Sequence, residues 1–310
     1  MLKIFFSRLL TGLSVILIVI SITFFLLRSL PGGPFDTDKK LPPQIQINIE
    51  KKYNLDKPLW KQYYLYLYNV VRGDFGPSYK YVDRSVNDII KETFPVSLKL
   101  GITSLIISLL LGCILGIISS VKKGKAFDFF SFSFSTALIS VPSFVIGAFL
   151  IFLFSIKLRI LPAALWGEPK HYILPSLTLA AGPAAYLIRL VRSSMLDVAG
   201  AQFIRTASAK GLKKFNIIFK HIFKNALIPV VTVLGPITAY LVTGSFVVEH
   251  IYAIPGMGKF FVLAVSNRDY PLIMGITVVY TVVLVLSNLI VDILYLKLDP
   301  RIRFENSARK

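Results

Sequence analysis

Charge is what this chain has least of: only 16% of its 310 residues are Asp, Glu, Lys or Arg, against 55% hydrophobic ones. A soluble domain of this length covers its core with charge, so this composition excludes an ordinary water-soluble fold. Acid is scarcer than base, with 16 Asp and Glu against 35 Lys and Arg and a formal net charge of +19. No aromatic-interleaved basic motif accompanies that excess, so nucleic acid is not an expected partner. On a membrane protein the same excess reports orientation and anionic headgroups. A single cysteine, Cys113, excludes a disulfide within the chain. No Gly-x-x-x-x-Gly-Lys-Ser/Thr loop is present, so the chain does not itself cradle ATP phosphates. The histidines, His171, His221 and His250, lie on separate connections without metal-ligand spacing. No metal or other cofactor is expected. No Ala-x-Ala-like cleavage site follows the first apolar run, Leu9–Leu27, which is therefore expected to be a retained span.

What the chain does have is long apolar runs, with mean hydropathy +0.68. Six blocks reach the roughly 20 residues a bilayer-crossing helix needs. They are Ile4–Leu27, Val96–Val121, Phe132–Ile156, Ile173–Val191, Ala226–Val248 and Leu272–Leu296. The expected fold is an all-α integral membrane protein of about six spans. With the N-terminus inside, eighteen basic residues fall on the inner segments, eight of them between Arg189 and Lys224, and five on the two short outer connections. Both termini are therefore expected to be cytoplasmic. The stretch between the first two spans, Pro34–Glu92, is then external. Within it Leu59–Val71 reads as an amphipathic helix carrying Trp60, Tyr63, Tyr64, Leu67 and Val71, with Pro58 at its start and Gly73 past its end.

The long inner connection reads as helical from Ser193 to Lys210 and again from Lys213 to Asn225, with Gly211 at a left-handed helix end. Thr206, Ala207, Ser208 and Ala209 make a small-residue surface. Lys213, Lys220 and Lys224 follow on one face, with Ile218, Phe219, Ile222 and Phe223 on another. A basic helix on the inner leaflet and a docking element for a cytosolic partner both fit these residues.

The run Phe203-Ile204-Arg205-Thr206-Ala207-Ser208-Ala209-Lys210-Gly211-Leu212, followed by Asn225-Ala226-Leu227-Ile228-Pro229, resembles the coupling loop of binding-protein-dependent ABC permeases. Within them it is similar to the oligopeptide/dipeptide/nickel branch. Other stretches agree in order: Leu30-Pro31-Gly32-Gly33-Pro34, Arg72-Gly73-Asp74-Phe75-Gly76, Ser140-Val141-Pro142-Ser143-Phe144, Ile254-Pro255-Gly256-Met257-Gly258, Asn267-Arg268-Asp269-Tyr270-Pro271 and Leu298-Asp299-Pro300-Arg301. The family's Glu-Ala-Ala triplet is Arg205-Thr206-Ala207 here, so only the place of the segment as coupling helix carries over. The resemblance implies a type I importer permease fold, divided as 1–93 (first span and external segment), 94–300 (transmembrane domain) and 301–310 (cytoplasmic tail). It implies the first-type permease of a pair, in a bacterial cytoplasmic membrane. Its partners would be a second homologous permease, two cytosolic ATPases, an external solute-binding protein and membrane lipid. The cargo would be an oligopeptide or dipeptide, with nickel or another small solute as the alternative. ATP hydrolysis would belong to the partners, so the chain itself is not expected to be an enzyme. Arg205, Thr206, Ala207, Ser208, Ala209, Lys210, Gly211 and Leu212 would couple to an ATPase.

A peptide path should be wide, mildly polar and poor in fixed charge. Ser140, Ser143, Thr232, Thr238 and Ser245 meet that need, with Gly235 and Pro236 as a bend or a close packing point. Glu249 and His250 are expected at the outer end of span five, at a gate or among headgroups. Asp292 is expected to pair near Lys297 and Arg301. A stand-alone secondary transporter would show inverted repeats and paired midplane charges, and a membrane enzyme clustered catalytic groups; neither is visible. Asp74-Phe75-Gly76 matches a kinase tripeptide without its companion motifs. The topology has a direct check in a background with Cys113 replaced. A cysteine between Pro34 and Glu92 and one at Ser208 should react with an impermeant thiol reagent from opposite faces of the membrane. Reaction from the same face overturns the orientation.

Overall fold

The structure, a computed structural model, describes residues 2–31, 33–35 and 43–298. The motif 298–301 beyond Leu298, the tail 301–310 and the side chains proposed to pair with Asp292 lie outside the described residues. Among the described residues every regular element is a helix, with one isolated bridge between Pro77 and Ser85. In order these are α1 (Leu2–Ser29), α2 (Pro43–Lys52), α3 (Leu59–Val71), α4 (Val86–Val121) and α5 (Ala126–Ser140). Next come α6 (Ser143–Leu150), which continues as a π-helical stretch Ile151–Lys157, α7 (Lys170–Ala199) and α8 (Gln202–Ala209). Then α9 (Lys214–Asn216) runs through a second π-helical stretch, Ile217–Phe223, into α10 (Lys224–Val242). The last are α11 (Phe246–Ile251), α12 (Met257–Ser266) and α13 (Tyr270–Leu298).

Among the described residues five stretches are long and apolar enough to cross a membrane: α1, α4, α7, the run Lys214–Ile251 and α13. The third expected span is instead a broken pair, α5 and α6 with its π-helical extension, which meet at 107°. The break falls at a proline. Pro142 lacks an N–H, and its ring pushes Val141 out of the helical region, to φ −91° and ψ 125°. Counted as one span, the pair brings the total to six. Pro95, Pro175, Pro183, Pro229 and Pro236 lie inside helices without ending them. α4 starts ten residues before the apolar block, at Val86 rather than Val96. At 1.5 Å per residue its 36 residues reach about 54 Å, well beyond the ~30 Å of a hydrocarbon core.

The chain forms two compact units, Met1–Val96 with Gly256–Val282, and Ser97–Pro255 with Val283–Lys310. In the first, Phe24 and Leu27 of α1, Val86, Ile89 and Ile90 of α4, Met257 of α12 and Leu272 and Ile276 of α13 form one buried core. The stretch expected to be external thus folds together with α12 and the start of α13. Helix α3 has the expected bounds, from Pro58 to the left-handed Gly73 at φ 76°. Its inward face differs from the expected one. Tyr63 and Tyr66 pack on the core while Trp60, Tyr64 and Val71 are exposed. Tyr63 Oη shares a 2.6 Å hydrogen bond with Ser21 Oγ of α1. Asp269 ties the unit together. Fully buried, it accepts from Ser78 Oγ, from the backbone N–H groups of Tyr79 (3.1 Å) and Lys80 (3.3 Å), and from Leu272 N at 3.4 Å.

In the second unit α7 is the most enclosed element. Ala180, Ala181, Ala184 and Ala185 are all buried, small side chains that let neighbouring backbones approach. Arg192 of α7 and Asp128 of α5 form a two-pronged ion pair, Nε–Oδ1 2.6 Å and Nη2–Oδ2 2.8 Å. Ser119 Oγ and Gly124 N also donate to Asp128, at 2.5 and 2.9 Å. Arg192, one of the basic residues behind the orientation reading, is therefore neutralised locally.

Asp269→Ala leaves several buried donors unpaired and should lower stability by about 3 kcal/mol, the range for hydrogen bonds to a charged acceptor. The exposed Asp74, which accepts only from Gly76 N among the described contacts, should lose far less on the same substitution. Thermal unfolding of the purified protein compares the two, and equal losses would show that Asp269 is not the tie.

Candidate functional site: a short amphipathic helix and an open cleft

The connection after α7 is not one helix to Lys210. α7 stops at Ala199, Ala201 is extended (φ −70°, ψ 147°), and α8 restarts at Gln202. α8 ends at Ala209, with Lys210 as its C-cap, and Gly211 then takes φ 74°, the left-handed turn expected of it. Two of its residues face inward, Ile204 and Ala207, with 6% and 7% of their surfaces exposed. Ile204 joins a core with Leu187, Val191 and Met195 of α7 and Ile222 and Ala226 beyond it. Of the eight residues Arg205–Leu212, Ala207 alone is buried and the other seven are exposed. Arg205, Thr206 and Ala209, with Gly200 and Gln202, line a shallow surface groove of about 580 Å³. In the stretch that follows, Ile222 is buried as expected of the apolar face. Phe215 and Phe219 stay exposed, with ring centroids 4.5 Å apart.

A second concavity of about 450 Å³ opens at the α5–α6 break. Pro142 and Ser143 line it from that break, Gly182 and Tyr186 from α7, and Tyr240 from α10. Of the five candidate path residues only Ser143 lines this cleft. Ser140 is exposed at the end of α5. Thr232 is exposed on the face of α10 that also carries Pro236 and Tyr240, and its hydroxyl bonds back to Ile228 O at 3.1 Å. Thr238 is half-buried on another face. Ser245 caps α11, its hydroxyl accepting from Val248 N. Gly235 is a packing position: a Cβ there would lie 2.2 Å from Asn288 Oδ1 and 3.3 Å from Asn288 Cα. Nothing in the sequence marks Tyr186 and Tyr240, because an exposed tyrosine and a buried one read alike in an apolar run.

Glu249 and His250, adjacent in sequence, part company. His250 is exposed and its ring lies 5.5 Å from that of Phe246, centroid to centroid. Glu249 is fully buried and accepts from Ser97 Oγ of α4 at 2.7 Å. Nearby in the same unit Thr178 and Tyr252 share a 2.8 Å hydrogen bond. No catalytic constellation of nucleophile and base is formed by these groups. The arrangement offers a surface helix fastened to a helical core and a weakly polar, aromatic-edged cleft on that core.

Residues 108–304 match the family described as binding-protein-dependent transport system inner membrane component. Residues 1–101 match the family described as the N-terminal part of a binding-protein-dependent transport system membrane component. The chain is 45% identical to the dipeptide transport system permease protein DppB of Bacillus subtilis, over 94% of this chain and 95% of that one. It is 44% identical to the oligopeptide transport system permease protein OppB of Haemophilus influenzae, over 98% and 100%. Its identity to OppB of Escherichia coli K12 is 41%, with the same coverage. A crystal structure of an amino acid ABC transporter with histidines shares the fold, with a TM-score of 0.52 at 15% identity over 68% of this chain and 94% of that one. A multi-pass bundle of five or six apolar spans, matched from end to end in this way, belongs to the family of binding-protein-dependent transport system inner membrane components.

Proposed function

We propose that this chain is the first-type permease subunit of an ATP-driven importer that carries oligopeptides or dipeptides inward across a bacterial cytoplasmic membrane. One observation carries the reading: identities of 41–45% run over nearly the whole chain to relatives that are themselves named dipeptide and oligopeptide permeases. On this reading a second permease completes the path, two cytosolic ATPases supply the free energy and an external binding protein delivers cargo. Both termini face the cytoplasm, as does α8.

Segment Arg205–Leu212 then acts as the lever. Its exposed residues meet an ATPase, while Ile204, the residue just before it on α8, joins the core shared by α7 and α10, and Ala207 is buried on the same helix. A push on α8 is delivered to helices that carry Tyr186 and Tyr240 at the cleft. ATP-dependent closure of the ATPases thereby shifts the population between outward-open and inward-open arrangements. Ser140, Ser143, Thr232, Thr238 and Ser245 remain the proposed path residues, with the cleft around Ser143 as its best-formed part.

Thr206→Cys, made in a Cys113→Ser background, should crosslink to an ATPase subunit in the assembled transporter. Absence of any crosslink from Thr206 and from Ser208 would sink the lever. Ser143→Trp narrows the cleft without touching α8. It should cut uptake of bulky peptides about tenfold before that of small ones, with ATPase activity retained. Loss of assembly instead would make Ser143 a packing residue.

A further inference from the structure

The first unit holds a basic group that none of the foregoing uses. Arg28, at the end of α1, is half-buried, with its guanidinium carbon 3.6 Å from the centroid of the Phe24 ring. Its Nε donates to Gln62 Oε1 at 3.0 Å, and among the described residues its Nη1 meets the Met274 thioether alone, at 3.9 Å. Among the described residues no carboxylate pairs with it. A guanidinium presents five N–H donors and a thioether is a weak acceptor, so most of the fork has no strong partner among the described residues. Taking such a group out of water without an anion is costly.

Arg28 borders a cavity of about 140 Å³, also lined by Tyr66, Tyr79, Tyr270, Asn69 and Lys52. Water occupies about 30 Å³ per molecule in the liquid, so the space holds a group of several heavy atoms. Tyr66 lines it, and its buried Oη has no hydrogen-bond partner among the described residues. A phenol that served packing alone would be better replaced by phenylalanine, since an unpaired buried hydroxyl costs free energy. Burial raises the pKa values of Tyr66 and Tyr79, the latter to about 12, so both hydroxyls are donors at any working pH. Asp74 is the acid on the rim. Its side chain is exposed and its Oδ1 accepts from Gly76 N at 2.9 Å. Phe75 and Met274 add apolar wall.

A flat fork of N–H donors, a neighbouring O–H donor with no partner and an apolar wall match a planar anion with an organic substituent. We propose that this cavity binds the carboxylate of an amino-acid-sized group, with Arg28 as the paired donor and Tyr66 Oη as the third. Two parallel N–H bonds from an arginine to a carboxylate are the geometry such a fork favours. The source of the carboxylate, a peptide C-terminus, rests on the importer reading; the site chemistry does not.

The test uses the full-length chain in its assembled transporter, with acetylglycine as the probe and acetylglycinamide as the uncharged control. Hydrogen exchange of the backbone amides of residues 59–79 is followed as each is titrated. Acetylglycine should slow exchange saturably and acetylglycinamide should not. Tyr66→Phe removes a hydroxyl that has no partner among the described residues, so the fold is kept. It should raise the half-saturating concentration about tenfold, the order expected for one hydrogen bond to a charged group. Arg28→Gln should abolish the effect. No protection, equal protection by the amide, or an unchanged response in Tyr66→Phe overturns the site. Inorganic phosphate acting as well as acetylglycine overturns its assignment to a carboxylate. Peptide uptake is measured separately, and its absence sinks the importer reading while leaving the site standing.

Discussion

Hydrocarbon offers no hydrogen-bond partner, so every apolar segment of this chain must satisfy its own backbone, which here means a helix. The polar exceptions follow from the same constraint. Glu249 is buried with Ser97 donating to it, Asp128 holds Arg192 with two bonds, and Thr178 is matched to Tyr252. Where the backbone does leave the helix, at Val141–Pro142, the break lies beside an open cleft rather than against packed neighbours. Irregular backbone is tolerated at membrane depth where it borders a cavity.

Lipid tails are as apolar as leucine, so helices associate in a membrane through close packing more than through hydrophobic burial. α7 shows this most clearly, with a buried run of alanines where a soluble core would place leucine. Gly235 against Asn288 is the same device on α10. Such contacts are stiff, because neither side has a flexible chain with which to absorb displacement. A short helix keyed into this core by Ile204 is therefore well placed to pass movement on.

Two half-buried arginines, Arg28 and Arg192, differ in what they meet. Arg192 meets a carboxylate in ideal geometry and reads as a structural pair. Arg28 lines a cavity with Tyr66, and among the described residues neither a carboxylate for its charge nor a partner for the Tyr66 hydroxyl is found. What separates them is the third dimension: both are single basic residues at the edge of apolar runs.

Five of the long helices, the bounds of α3 and the left-handed turn at Gly211 were all legible in the sequence. Each depends on local chemistry, namely the length of an apolar run or the geometry of proline and glycine. The family was legible too, because its motifs recur in order along the chain. Tertiary structure alone decided which of several prolines breaks a helix. Pro142 does and Pro95, Pro175, Pro183, Pro229 and Pro236 do not, since neighbouring helices and local backbone adjustments determine whether the freed carbonyls find partners. It also decided that Tyr63 rather than Trp60 faces the core, that Glu249 turns inward while His250 does not, and that α7 and α8 part at Gly200. An apolar helix in lipid has no polar face to betray its orientation. Which side packs, and which charge is buried, is settled only by residues far away along the chain.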